Sequence, residues 1–214
     1  MKSSQNNLKK ISAVIPAHNE EKRIRDIISR VKNFADEVLV IDDCSSDKTA
    51  EVAVRAGATV ISNRKNKGYI ESIKIGFREA QGEIIITLDA DGEHKPEEIP
   101  NLLKPILNGK VDLVLGKREK IPRLSERFLN WLTNLKIKIK DSGTGFRAIK
   151  KELALKLNLE GVCTCGVFAL ESVANGAKLA EIPIKIRFIN KKRKIAWYHF
   201  LQIFYILKWV IFPY

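Results

Sequence analysis

Five continuous apolar runs, each followed by a segment with helical spacing, constrain this chain more than any other feature. The runs lie in "ISAVIPAHNE", "EVLVIDDCSSDKT", "ATVISN", "EIIITLDADGEH" and "VDLVLGKR". Between them, "EEKRIRDIISRVKNF" sets Ile24, Ile27, Ile28 and Val31 on one helix face. "DKTAEVAVRAG" and "GYIESIKIGFREAQG" read as helices closed by Gly57 and Gly82, and "PEEIPNLLKPILNG" as a fourth helix. Strands that are apolar throughout, rather than at alternate positions, are buried on both faces. The pattern therefore predicts an α/β fold, a mostly parallel sheet flanked by helices. Pro16 is expected to stop the first strand.

In such sheets ligands gather beyond the carboxyl ends of the strands. The first, second and fourth strands run into "PAHNE", "DDCSSD" and "DADGEH", so acids converge on one rim of a chain whose formal charge is +13. Asp89, Asp91 and Glu93 fall at every second position, and on an extended strand end such side chains point the same way. Three like charges on one side repel unless a cation sits between them. Mg²⁺ or Mn²⁺ suits such oxygen ligands and also takes substrate phosphates. An acidic turn facing solvent is the plainer reading of "DADG", and Asp42, Asp43 and Asp47 on the adjacent rim weigh against it.

The second half is less regular. "IPRLSERFLNWLTNLKIK" reads as a helix, "DSGTGFRAIKKELALKL" as a polar loop leading into a helix, and "CGVFALESVANGAKLAEIPIKIRFI" as a helix ending near Gly176 and then a strand. Three cysteines, an odd number, argue against a disulfide framework and for a reducing compartment. Cys163 and Cys165 form a CxC with no second Cys/His pair in the sequence to complete a zinc site, so the thiols read as structural. "MKSSQNNLKK" has no apolar core, so no signal peptide is expected there.

Four segments in order resemble family 2 glycosyltransferases: "PAHNE", "IDDCSSDKT", "LDADGEHKPEEI" and "DSGTGFRAIKKE". The third and fourth are similar to blocks of the dolichyl-phosphate mannose synthases and related polyprenyl-phosphate glycosyltransferases. The resemblance covers residues from about 11 to 188 and implies a GT-A fold and a nucleotide-sugar donor. By that resemblance Pro16, His18 and Glu20 line the base and ribose pocket, with Ile41 and Asp43 from the second strand. Asp89, Ala90 and Asp91 meet the donor phosphates, with Asp89, Asp91 and Glu93 as metal ligands. His18 stands where the family usually has tyrosine, and Glu93 where the synthases often have glutamine.

The family also places arginines after the fifth strand to bind phosphates, which here are Arg118, Arg123 and Arg127. Asp141 is set to contact sugar hydroxyls, and Glu171 falls near the sugar. Asp91, Arg118 and Arg123 are the residues expected to carry catalysis. A lipid phosphate acceptor is already anionic near neutral pH, its second pKa being about 6. No strong general base is then needed; alignment and stabilisation of the departing diphosphate suffice, and single displacement inverts the sugar. A saccharide acceptor would need a base, with Glu171 or Asp141 as candidates. A nucleotidyltransferase would carry a glycine-rich basic loop after the first strand, and "PAHNEEKRIR" has none. A non-catalytic lipid-binding module is the remaining class.

The family's R-x-x-G-x-S-K element falls on "KIRFINKKRKI", which lacks the glycine and serine; Arg193 is the residue there set to touch phosphate. The basic run also suits an anionic membrane. No aromatic interleaving or helix-turn-helix pattern accompanies it, so nucleic acid is not the expected partner. "AWYHFLQIFYILKWVIFPY" is almost wholly apolar, and His199, Gln202 and Lys208 do not form one helical stripe. It is expected to attach to the cytoplasmic face of a membrane, as an interfacial or marginally spanning helix. A buried packing helix or a homodimer contact is the competing reading. The expected organisation is a tail over 1–10, a catalytic domain over 11–190 and a basic, apolar appendage over 191–214.

Overall fold

The structure, a computed structural model, describes residues 10–121, 123–187, 189 and 196–212, with the side chain of Ala196 excepted. Most of the expected tail and the whole "NKKRK" run, Arg193 included, lie outside the described residues.

The first half alternates as expected: β1 (Ile11–Ala17), α1 (Ile24–Val31), β2 (Glu37–Asp42), α2 (Thr49–Arg55), β3 (Thr59–Ser62), α3 (Tyr69–Glu79), β4 (Ile84–Thr87), α4 (Ile99–Leu107) and β5 (Leu113–Arg118). Then come α5 (Leu124–Asn134), β6 (Arg147–Lys150), α6 (Lys151–Ala154), α7 (Val167–Ala174), β7 (Leu179–Ile184) and α8 (Ala196–Ile211). One seven-stranded sheet runs in the order β3-β2-β1-β4-β6-β5-β7. All pairs are parallel except the two that β6 makes, with β4 and with β5.

Both sheet faces are dry, as the unbroken apolar runs require. Ala13, Ile15, Ile84 and Ile86 join one core with Ile24, Ile27, Ile28 and Val31 of α1 and Leu102 and Ile106 of α4. Val14, Ile85, Leu39 and Ile41 join the other with Ile73 and Phe77 of α3 and Phe168 of α7. Each fully buried side chain of this size is worth roughly 1.5–3 kcal/mol. A third cluster joins Leu129 and Leu132 of α5, Leu170 of α7 and Ile206 of α8.

Two local expectations are corrected. Pro16 does not stop β1, which continues to Ala17, with Pro16 opposite Ile41. A proline removes only its own donor, and the carbonyl of Ala17 still accepts the Asp43 N–H at 2.8 Å. The segment 147–150, expected as part of a loop-to-helix run, is β6, wedged between β4 and β5. Four residues headed by an arginine carry no readable period. The antiparallel direction of β6 has a large consequence. Its first residue, Arg147, lies opposite Thr87 at the carboxyl end of β4, so the loop 141–146 is delivered to the same rim as the acids.

Candidate active site

The sheet order reverses at β1: the chain lays β2 and β3 on one side of it, then returns to place β4 on the other. The crevice beyond the ends of β1 and β4 is where such folds take ligands.

At the tip of β1, the His18 ring donates from Nδ1 to the Asp43 carbonyl at 2.9 Å, leaving Nε2 to accept from Asn19 at 3.2 Å. His18 itself is exposed, and Glu20 pairs with Arg23 at 2.8 Å. Pro16 is buried, and the Ile41 side chain is fully inside the core. The acids after β2 hold helices in place. Asp43 accepts from Asn63 Nδ2 (2.9 Å), Lys67 N (2.8 Å) and Gly68 N (2.8 Å), immediately before α3. Asp47 accepts the Thr49 N–H (2.9 Å) and hydroxyl, and the Glu21 N–H (3.2 Å), at the start of α2.

β4 ends at Thr87, so "DADGEH" is a turn rather than an extension of the strand, with Gly92 at φ +81°. The alternation expected for its three acids therefore does not apply. Asp89 is the one that reaches the rim, its side chain 31% exposed, whereas Asp91 and Glu93 are 9% and 8% exposed. Asp91 Oδ1 accepts the Glu93 N–H at 2.9 Å. The three carboxylates do not gather within one coordination sphere. Ala90 is packed into the core.

Asp89 is the centre of a polar cluster. It accepts from the Tyr69 hydroxyl at 3.1 Å, and its own N–H donates to His94 Nδ1 at 3.1 Å. Burial, then the Asp89 charge, pushes the Tyr69 phenol well above its ordinary pKa, so it stays a donor; the nearby Arg147 guanidinium acts in the opposite sense. Gly145 packs onto the same carboxylate so closely that a Cβ there would stand 2.6 Å from Asp89 Oδ1. His94 stacks on Phe146 with centroids 5.0 Å apart. The chain after β7 closes beside this turn, the Arg187 N–H donating to the Glu93 carbonyl at 2.8 Å.

The basic side of the rim differs from expectation. Arg118 grips Asp141 with Nε (2.7 Å) and Nη2 (2.9 Å), and Nη2 also reaches Glu126 at 3.0 Å. Burial opposes the charge on Arg118, but the bonds and attraction of Asp141 and Glu126 outweigh it and hold the guanidinium above its ordinary range. Its fork and the Asp141 carboxylate are thus committed to each other. Arg123 stands 3.7 Å from Glu126, and the exposed Arg127 donates to the Ile121 carbonyl at 3.3 Å. Glu171 is buried rather than on a helix surface, and it accepts the N–H groups of Asn158 and Leu159.

The residue that sequence reasoning missed is Arg147. It is fully buried, donates from Nη2 to Thr164 Oγ1 at 2.7 Å, and lies 4.3 Å from the Phe168 ring centre. Its Nη1 has no hydrogen-bond partner, nor has Ser142 Oγ in the same loop. The motif "DSGTGFR" was the available signal, but the burial of its last residue depends on β6.

A mostly parallel sheet whose order reverses beside an acidic tip defines an α/β protein with its ligand crevice at that tip. Residues 12–173 match the model of glycosyl transferase family 2, and the chain belongs to that family. It is 29% identical to the dolichol-phosphate mannosyltransferase of Pyrococcus furiosus over 94% of this chain and 64% of that protein. It is 28% identical to the UDP-N-acetylglucosamine–dolichyl-phosphate N-acetylglucosaminyltransferase of Methanococcus voltae, over 83% of this chain and 85% of the other. Among solved structures, a Mycobacterium tuberculosis glucosyl-3-phosphoglycerate synthase in complex with Mn²⁺, UDP and glucosyl-3-phosphoglycerate superposes with a TM-score of 0.82. That match has 21% identity and covers 96% of this chain and 81% of that one. The fold is accordingly GT-A-like.

Proposed function

We propose that this enzyme transfers a hexose from a nucleotide-sugar of the GDP-mannose or UDP-glucose type to a polyprenyl or dolichyl phosphate, with inversion at the anomeric carbon. Two relatives named for dolichyl-phosphate acceptors support the acceptor class. The observation that carries the reading is the arrangement at the rim, where Tyr69 donates to the partly exposed Asp89 and feels the charge of the buried, half-satisfied Arg147.

The carboxylates at the β4 tip fit a hard divalent ion, Mg²⁺ or Mn²⁺, because they offer oxygen donors only and such ions complete their shells with substrate phosphates. Asp89 would hold it from the rim, and Asp91 and Glu93, expected as ligands beside it, would join only by turning out of the positions they take in this turn. When bound it supplies Lewis-acid neutralisation of the leaving diphosphate. The neighbour holding Mn²⁺ with UDP supports this choice. The rest is done by the chain. The crevice beyond β1 and β2 takes the nucleoside, with His18 and the backbone beside Ile41 at its edge. Arg147 lends positive charge from beneath the rim, its Nη1 closed to solvent until the loop 141–146 shifts, and Arg123 and Arg127 add positive charge near α5. The candidate bases for a saccharide acceptor, Asp141 and Glu171, are both engaged by donors of the chain. A phosphate nucleophile needs no base.

A second reading is a soluble phosphorylated acceptor, favoured by the neighbour bound to glucosyl-3-phosphoglycerate. One experiment separates them. Membranes containing the protein are incubated with labelled GDP-mannose, UDP-glucose and UDP-N-acetylglucosamine, with and without Mn²⁺. Metal-dependent, lipid-extractable label in the β configuration is expected, and it should vanish with Asp91→Ala. Label that stays water-soluble, or an α-linked product, would overturn the lipid-phosphate, inverting reading.

A further inference from the structure

The loop before α7 and the inner face of α8 bring together three soft ligands that the sequence keeps 34 residues apart. Cys163, Cys165 and His199 each offer one ligand atom, and all three atoms lie within 4.8 Å of one another. We propose that Cys163 Sγ, Cys165 Sγ and His199 bind one thiophilic divalent cation of the zinc class, and that this ion pins α8 to the catalytic lobe.

The cluster is built rather than accidental. Cys163 and Cys165 flank Thr164, whose hydroxyl turns the other way to accept from Arg147 at 2.7 Å. The bend at Cys163 and the turn at Cys165 bring both sulfurs within reach of the His199 ring. Gln202, one turn after His199 on α8, accepts the N–H groups of Val162 (3.1 Å) and Cys163 (3.2 Å) and donates to the Cys165 carbonyl at 3.1 Å. That clamp fixes the loop backbone before any ion arrives. His199 is buried at 4% exposure, and its Nδ1 lies 2.8 Å from Ser125 Oγ at the start of α5. Ligating histidines regularly donate their second ring N–H to such an oxygen, which fixes the tautomer. With Nδ1–H given to Ser125, Nε2 is the nitrogen left to ligate.

Two sulfurs on a tetrahedral zinc ion stand about 3.8 Å apart, given Zn–S of about 2.3 Å. Closing the cluster therefore asks for shifts of roughly an ångström or less. Two thiolates and an imidazole leave the fourth position for water. The two thiols already influence each other: a hydrogen bond with Cys165 lowers the Cys163 pKa, and Cys165 is raised by that bond and by burial. The site adjoins the carboxylate rim, with Thr164 joined to Arg147, and differs from it in chemistry, since oxygen donors serve hard ions and thiolates soft ones.

The test uses the full chain, free of affinity tags, reduced and stripped of metal, with Mg²⁺ in excess to saturate the carboxylates. Titration with Co²⁺ is expected to give one ion per chain, a near-ultraviolet thiolate-to-cobalt charge-transfer band and the intense visible bands of tetrahedral coordination. Zn²⁺ should displace it. Cys163→Ser and His199→Gln should each weaken binding at least about tenfold, and Ser125→Ala by about 10–100-fold. Zn²⁺ should raise the melting temperature of the parent protein and not that of Cys163→Ser. A cobalt spectrum with no thiolate band, or one unchanged by His199→Gln, would overturn the proposal, as would a reduced chain that takes up no cobalt. Should a variant fail to fold, the spectrum of the parent protein decides.

Discussion

Arg147 carries a charge that its surroundings answer only in part. Burying a guanidinium costs several kcal/mol even after relaxation, and an unpaired N–H adds about 1–3 kcal/mol. Thr164 and the Phe168 face recover some of this, and Nη1 remains without a partner. An incoming phosphate would supply the missing acceptor once the loop 141–146 shifts, since the side chain is closed to solvent here. Arg147→Lys retains the charge but loses the two-pronged geometry, so kcat/KM is expected to fall by roughly 10²–10³, the usual cost of one well-placed donor. Arg147→Met should abolish activity while leaving the melting temperature unchanged or higher, because it removes a buried, half-satisfied cation. Steady-state kinetics with thermal melts check both, and Arg147→Lys activity within about threefold of the parent would sink the role. The sequence marks this arginine only as the end of "DSGTGFR"; that it is buried beneath the rim depends on β6 and could not be read there. The acids were legible because they end apolar runs. Their division of labour was not, because which carboxylate caps a helix and which faces the rim depends on turn geometry.

At the scale of elements, β1 to β5 and the helices between them could be read from the sequence because the strands lie in unbroken apolar runs and the helices between them carry apolar residues at helical spacing. β6 could not. Its four residues begin and end on a cation, and it is held by its neighbours, yet it decides that Asp141 to Arg147 belong to the rim at all. The turn from β2 into α2 shows a second kind of hidden role. Asp47 looked like one more rim acid, and it instead accepts the Thr49 N–H and hydroxyl in the turn that opens α2, much as a capping side chain does. Burial works against its ionisation, but the bonds from Thr49 and from the Glu21 N–H outweigh this and lower its pKa. Asp47→Ala is expected to cost about 0.5–2 kcal/mol, the usual worth of such a cap. A carboxylate whose pKa is depressed by folding stabilises above its unfolded value, about 3.9, and loses that contribution as pH falls through the folded value. The gap between parent and variant, from urea unfolding, should therefore be constant from neutral pH to about pH 5. Below about pH 3.9 it should shrink, and a gap that grows on acidification would contradict the assignment.

The whole molecule presents one face unlike the rest. α8 is inverted: His199 and Gln202 point inward, while Trp197, Phe200, Phe204 and Ile211 stand out, Trp197 at 76% exposure. α5 packs beside it and adds Leu124, Phe128 and Trp131, the last two stacked with centroids 5.6 Å apart. The scattered polar residues that spoiled a simple stripe in the sequence are thereby explained: two serve the protein, and Lys208 pairs outside with Glu160 at 2.7 Å. Among the described residues no helix is long and apolar enough to cross a membrane. Sixteen residues at about 1.5 Å each span about 24 Å, short of a bilayer core of about 30 Å. We propose instead that the α5–α8 face lies in the interface of an anionic, cytoplasmic-side membrane, drawn there by the net charge of +13 and held by the aromatic side chains. Each large apolar side chain transferred from water contributes roughly 1.5–3 kcal/mol. Phe204→Glu with Trp197→Glu should therefore lower partitioning onto vesicles with anionic lipid by at least about a hundredfold in sedimentation assays, with thermal melts near those of the parent. Added salt should weaken the parent's binding, because the basic charge acts through a screened field. Unaltered vesicle binding by the double variant would remove this face from the membrane. If the parent is instead a dimer in solution that the same substitutions split into monomers, the face belongs to a second copy of the chain.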